Sequence, residues 1–254
     1  QQALDGDGFK LQVQPIHCLT GKKDNPRFEV LLRMPDSGGR NVPAKALFSA
    51  AERYRMMPQI DRWVVSTALA KLAEVREFVE VQSAIFAIIV SGQTIGDDDI
   101  LEFIEDEIRQ SGLPASSLCF EITESAAVSF LDKAQGFIDH LRSLGCSIAL
   151  DDFGAGLSSF AYLKNFNVDT LKIDGGFIRD ITDNLISESM VAAITQVAKV
   201  MDLETVAEYV ETKKARKLIA KLGVDFAQGH LIGKPAPIDT VLADLSDKAK
   251  SSAG

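Results

Sequence analysis

Long apolar runs are missing from this 254-residue chain, and none approaches the roughly 20 residues that a membrane-spanning helix needs. No signal-peptide pattern opens it. Cysteine is scarce: Cys18, Cys119 and Cys146 are odd in number, scattered, and form no C-x-x-C pair. That excludes a disulfide frame and reads as small buried residues of a reducing compartment. The three histidines, His17, His140 and His230, show no metal-ligand spacing. An excess of basic charge is missing too. The net charge of −9 argues against broad contact with nucleic-acid backbones or anionic membranes. It leaves room for a small phosphate ligand held by a few cations or by metal ions. No G-x-G-x-x-G follows a first strand, which removes a dinucleotide fold. The chain reads as soluble and cytoplasmic. It also reads as a piece of a longer protein, because it starts Gln-Gln without an initiator Met.

What is present is ample for a core: 46% of residues are apolar and 25% charged. Residues 1–8 are polar and read as a flexible lead-in, and 246–254 as a disordered tail. Residues 9–19 and 28–34 alternate apolar and polar side chains across K-K-D-N-P, the pattern of a hairpin. Helical patterns follow over 44–54 and 59–77. One unit then recurs: strands at 84–90, 117–122, 147–150, 170–173 and 204–206 precede helices at 98–111, 130–144, 157–164, 188–201 and 212–222. A last strand lies near Phe226. Regular strand–helix alternation means a parallel sheet with helical crossovers. Nearly eight strands with a hairpin-like opening fit an α/β chain of (β/α)8 TIM-like barrel architecture with an irregular first strand pair.

Charged residues collect where these strands end. Glu121 closes C-F-E-I-T with Glu124 three residues on, Asp151 and Asp152 close the next strand, Lys172 lies late in the one after, and Glu208 closes T-V-A-E. Gln228 follows the last strand. Neighbouring residues in a strand face opposite ways, so the two aspartates are expected to converge only where the strand stops and turns at Gly154 and Gly156. Barrel enzymes draw their catalytic groups from the carboxyl ends of several strands. Converging carboxylates repel unless cations neutralise them, and an oxygen-rich set suits Mg²⁺ or Mn²⁺. Paired divalent ions so held hydrolyse phosphate esters. Lys172 would add a fixed positive charge beside the attacking water.

Ordered blocks run nearly end to end: Q-P-I from Gln14, F-E-V-L-L-R from Phe28, A-E-R-Y from Ala51, D-R-W-V from Asp61, F-E-I-T-E-S, L-D-D-F-G-A-G-L-S-S, L-K-I-D, T-V-A-E-Y-V-E-T, and G-K-P-A-P from Gly233. With them the chain resembles the EAL domains, bacterial phosphodiesterases that hydrolyse cyclic di-GMP to the linear dinucleotide pGpG. The resemblance implies an EAL-type barrel over 9–245. It implies metal ligation by Glu29, Glu121, Asp151, Asp152 and Glu208, with two ions expected. Lys172 would orient the nucleophilic water, with Gln228 nearby, and Glu124 would brace the loop bearing the aspartates. Gln14, Arg33 and Asp61 match nucleotide-holding positions. Three departures stand out. E-A-L reads Glu29-Val30-Leu31. Tyr209 replaces a common glycine, where an aromatic would stack on guanine or merely fill space. Ile89 stands where the family usually carries a metal-binding asparagine, and an isoleucine coordinates nothing. The expected activity is therefore a weakened phosphodiesterase, the alternative being an inactive cyclic di-GMP receptor that signals to a partner. The resemblance further implies a homodimer and flanking signalling domains such as GGDEF or a sensor, with no DNA and no membrane contact.

Overall fold

The computed structural model describes residues 8–21, 25–36, 38–155 and 160–252. Eight strands close into a barrel: β1 (Lys10–Cys18), β2 (Arg27–Arg33), β3 (Ile85–Val90), β4 (Leu118–Thr123), β5 (Ser147–Phe153), β6 (Thr170–Ile173), β7 (Glu204–Ala207) and β8 (Phe226–Gln228). From β2 to β8 neighbouring strands are parallel. β1 closes the ring antiparallel to both β2 and β8. The hairpin expected at the start is therefore real, and it also supplies the strand that seals the barrel. A short β9 (Ala236–Pro237) pairs with β1 outside the ring.

Side-chain alternation sorts each strand between two environments. Val30, Ile88, Phe120, Ile122, Leu150, Leu171 and Ile173 join the main core between the barrel and its helices. The alternate residues point inward, where Ala87, Cys119 and Ala149 form one small cluster and Ile16, Val206 and Phe226 another. These stop the barrel from below, so the next inward layer up, Glu29, Glu121, Asp151, Lys172 and Gln228, sits at the mouth.

Three elements differ from expectation. The helix expected over 59–77 is two, Met57–Ala73 and Arg76–Gln82. The last helix, Ile238–Ser252, runs through 246–252, where the sequence suggests a disordered tail. Leu242 is buried, and Val241 and Leu245 pack against the core, so the first turns are anchored and the helix propagates outward at one hydrogen bond per residue. β5 does not stop at Leu150 but continues through Phe153. The stretch 156–159, with Gly156 and the start of the helix expected there, lies outside the described residues. No helix among the described residues is long and apolar enough to cross a membrane.

Candidate metal and nucleotide site

The two aspartates converge by a device the sequence did not reveal. Leu150 pairs with Leu171 and Phe153 with Ile173, so β5 carries one residue more than β6 across that interval, a β-bulge. Asp152 takes up the extra length with φ of +53°, in the left-handed region that Asp tolerates better than most residues. The strict face alternation is thereby broken. One carboxylate oxygen from each of Asp151, Asp152 and Glu208 then lies within 4.8 Å of the others. Gly154 follows with φ of +100°, and its N–H donates to Glu124 Oε2 at 3.0 Å. Glu124 thus holds the turn beside the acids.

Lys172 is the centre of the cluster. Its Nζ donates to Glu121 Oε2 at 2.7 Å and lies 3.0 Å from Asp151 Oδ1, 3.0 Å from Glu208 Oε1 and 3.6 Å from Glu29 Oε2. Burial alone would lower its pKa, but these carboxylates outweigh that and hold it well above the ordinary lysine value. The carboxyl pKa values rise as well, which for them favours the neutral form. Burial pushes Glu121 well above the usual range against the pull of Lys172, and pushes Glu208 up to about 8. Asp152 rises to about 6 through burial, then through the charge of Asp151. One ammonium is not enough cation for this many acids.

On the β1–β2 side, Gln228 Nε2 donates to Glu29 Oε2 and, at 3.2 Å, to Gln14 Oε1. Gln14 in turn donates to the Gly233 carbonyl at 2.9 Å. Two buried oxygens, Asp151 Oδ1 and Gln228 Oε1, have no hydrogen-bond partner; the first lies near the ammonium but outside hydrogen-bond geometry. Unsatisfied buried oxygens in an all-oxygen donor set are what a hard divalent cation would satisfy. Asp151, Asp152 and Glu208 fit such an ion.

β3 is the exception. Ile89 pairs in register with Glu121 and lines the mouth with its branched apolar side chain. Above it the chain is pinned by Asp61, whose buried Oδ2 accepts from Ser91 N–H at 2.9 Å and from Thr94 Oγ1 at 2.5 Å. Burial raises the Asp61 pKa, and these hydrogen bonds oppose the rise. Thr94 went unnoticed in the sequence, where S-G-Q-T offers only a weak helix-capping signal.

Over the site opens a cavity of about 870 Å³. Its lining brings together Gln14, Glu29, Arg33, Asp61, Asp151, Asp152, Glu208, Tyr209 and Gln228, while Glu121 and Lys172 border a void of about 30 Å³ below. Arg33, half-buried, is aimed by its Nε bond to Gln12 Oε1 at 2.9 Å and its Nη1 bond to the Leu32 carbonyl at 2.8 Å. Tyr209 is exposed rather than buried, so it does not fill the core.

The EAL domain family matches the chain over residues 1–235. The chain is 36% identical over 252 residues to the cyclic di-GMP phosphodiesterase PdeF of Escherichia coli, covering 99% of this chain and 33% of that protein. It is 35% identical over 237 residues to the cyclic di-GMP phosphodiesterase PdeB of Shewanella oneidensis, covering 93% of this chain and 28% of that one. It thus spans about a third of the length of these curated relatives. A solved structure, the PaMucR phosphodiesterase in complex with c-di-GMP, superposes with a TM-score of 0.88 at 28% identity, covering 94% of this chain and 96% of that chain. The chain belongs to the EAL domain family.

Proposed function

We propose that this barrel binds cyclic di-GMP and, with Mg²⁺ or Mn²⁺, opens it slowly to linear pGpG. The observation that carries the reading is the convergence of Glu29, Glu121, Asp151, Asp152 and Glu208 on one mouth beneath a cavity of about 870 Å³. Asp151, Asp152 and Glu208 would hold one ion, and Glu29, Glu121 and Asp151 a second, weaker one beside Ile89. Divalent ions bound there would activate water and offset charge developing on the phosphodiester. Lys172 keeps a permanent positive charge among the acids, next to where the attacking water would sit. Gln228 fixes the Glu29 carboxylate, and Glu124 holds the turn that presents Asp152. Arg33, charged and aimed into the cavity, suits a phosphate oxygen of the nucleotide. Gln14, opposite Glu29 on β1, lines the same cavity, and Asp61 would act by holding the turn after β3.

A second reading has its own support in Ile89 and Val30: a receptor that binds cyclic di-GMP without cutting it. Product analysis of cyclic di-GMP incubated with the protein and Mn²⁺ separates the two. Metal-dependent appearance of pGpG, suppressed by EDTA, is expected for the enzyme. Binding that persists in EDTA with no product at any metal concentration would establish the receptor instead. Homodimerisation, flanking signalling domains and a cytoplasmic location belong to the same proposal, and sedimentation of the chain with and without nucleotide tests the first of them.

A further inference from the structure

Tyr209 occupies a backbone position that a tyrosine seldom holds. Its φ is +52°, in the left-handed region natural to glycine and tolerated by Asn and Asp. Burial does not compensate that strain, because the residue is 50% exposed. The ring is nonetheless held in place. Gly175 opens the short helix Gly175–Asp180, and a Cβ there would fall 2.1 Å from Tyr209 Cδ2. The ring therefore rests on bare glycine backbone. Four residues on, Arg179 sets its Cζ 4.0 Å from the ring centroid. Residues i and i+4 share one side of a helix, so both supports reach the ring from the same direction. Tyr209 also lines the large cavity with Arg33 and Glu208.

We propose that Tyr209 is a stacking platform for one guanine of the bound nucleotide, a residue that adds affinity for the base. The proposal rests on the cyclic di-GMP reading above. A purine has a π-face that an aromatic ring accepts regardless of hydrogen-bond pattern, and removing such a ring weakens binding on the order of tenfold. The Arg179 guanidinium holds the back of the ring by a cation–π contact, so the platform is set before the base arrives and little order is lost on binding.

The test uses the whole chain, with Ca²⁺ present and again with EDTA. Cyclic di-GMP and an analogue carrying 2-aminopurine in place of one guanine are titrated into the parent protein, Tyr209→Phe and Tyr209→Asn. Asn tolerates the left-handed backbone, so Tyr209→Asn should retain the parent melting temperature while lacking the ring. Binding is expected to quench the 2-aminopurine emission in the parent and in Tyr209→Phe. In Tyr209→Asn the quenching should disappear and the Kd for cyclic di-GMP rise about tenfold. Full quenching and an unchanged Kd in Tyr209→Asn would overturn the platform. Failure of the parent to bind cyclic di-GMP in either buffer would instead remove the nucleotide reading itself, and the platform with it.

Discussion

The mouth of this barrel has two unlike arcs. From β4 round through β8 and β1 to β2, every strand or the residue just after it delivers a polar or charged side chain to one layer: Glu121, Asp151, Lys172, Glu208, Gln228, Gln14 and Glu29. β3 alone delivers Ile89, in register with Glu121. In the charged arc burial first, and the mutual repulsion of the acids after it, raises the pKa values of Glu121, Glu208 and Asp152, and a bound cation would oppose that rise. The apolar arc offers no side-chain donor atom at the mouth. Lys172 bridges the mismatch, because its ammonium lies within 4 Å of four carboxylates. A polar cluster can thus persist beside an apolar neighbour, provided that an internal cation helps to balance the acids.

The sharpest way to break this balance is Lys172→Met. Stripping one partner from a buried ionic cluster costs about 3–5 kcal/mol, so the metal-free melting temperature should fall by roughly 10 °C. Mn²⁺ should restore part of that loss by supplying the missing positive charge. An unchanged melting curve in EDTA would show that Lys172 is not what neutralises the arc.

Filling the gap in the other arc is the next largest change. Ile89→Asn should raise Mn²⁺ affinity about 10- to 100-fold, read by calorimetry, and raise the rate of pGpG formation with it. Equal affinities in parent and variant would mean that β3 contributes nothing to the ion.

Asp152 allows a finer comparison by pH. Its pKa of about 6 means that it must lose a proton to ligate, so Mn²⁺ affinity should rise from pH 5 to 7, by at most about tenfold per pH unit, and flatten above. Stability runs the other way. A carboxyl whose folded pKa lies above its unfolded value stabilises fully below the unfolded value, near 4, and loses that contribution as pH rises through 6. With the group half exposed, the effect is discounted to about 1 kcal/mol. Asp152→Asn should therefore raise the metal-free melting temperature at pH 8 by about 2–4 °C while flattening the pH dependence of Mn²⁺ binding. A pH profile identical in parent and variant would assign the titration to another group.

The smallest effect is expected from Glu124→Gln, whose amide oxygen still accepts the Gly154 N–H; Mn²⁺ affinity should drop less than about threefold, against about tenfold for Glu124→Ala. A large loss in the Gln variant would make the charge of Glu124, rather than its hydrogen bond, the operative feature.

Much of this was legible before any coordinates. The strand ends could be read because parallel barrel strands are apolar on both sides until they meet the mouth, so Glu121, Lys172 and Glu208 announce themselves as charges after apolar runs. The opening hairpin was legible from alternation, and the departure at Ile89 from its place in an otherwise matching set. The bulge in β5 was not, since an extra residue is defined only against the partner strand it overruns. The role of Asp61 was hidden for a similar reason: its partners, Ser91 and Thr94, lie about thirty residues away. Arg179 and Gly175 carry no motif at all, and their meaning comes from the ring that lies across them.

By itself, then, the order of residues determined the class of barrel, the inventory of acids with their lysine, and the apolar residue on β3, because these depend on residue type and on periods of two and 3.6. Tertiary structure decided how Asp151 and Asp152 come to share a site, which carboxylates Lys172 serves, and why a strained tyrosine is held at the rim. Each of those is a relation between segments far apart in the chain, and only closure of the barrel brings them within reach.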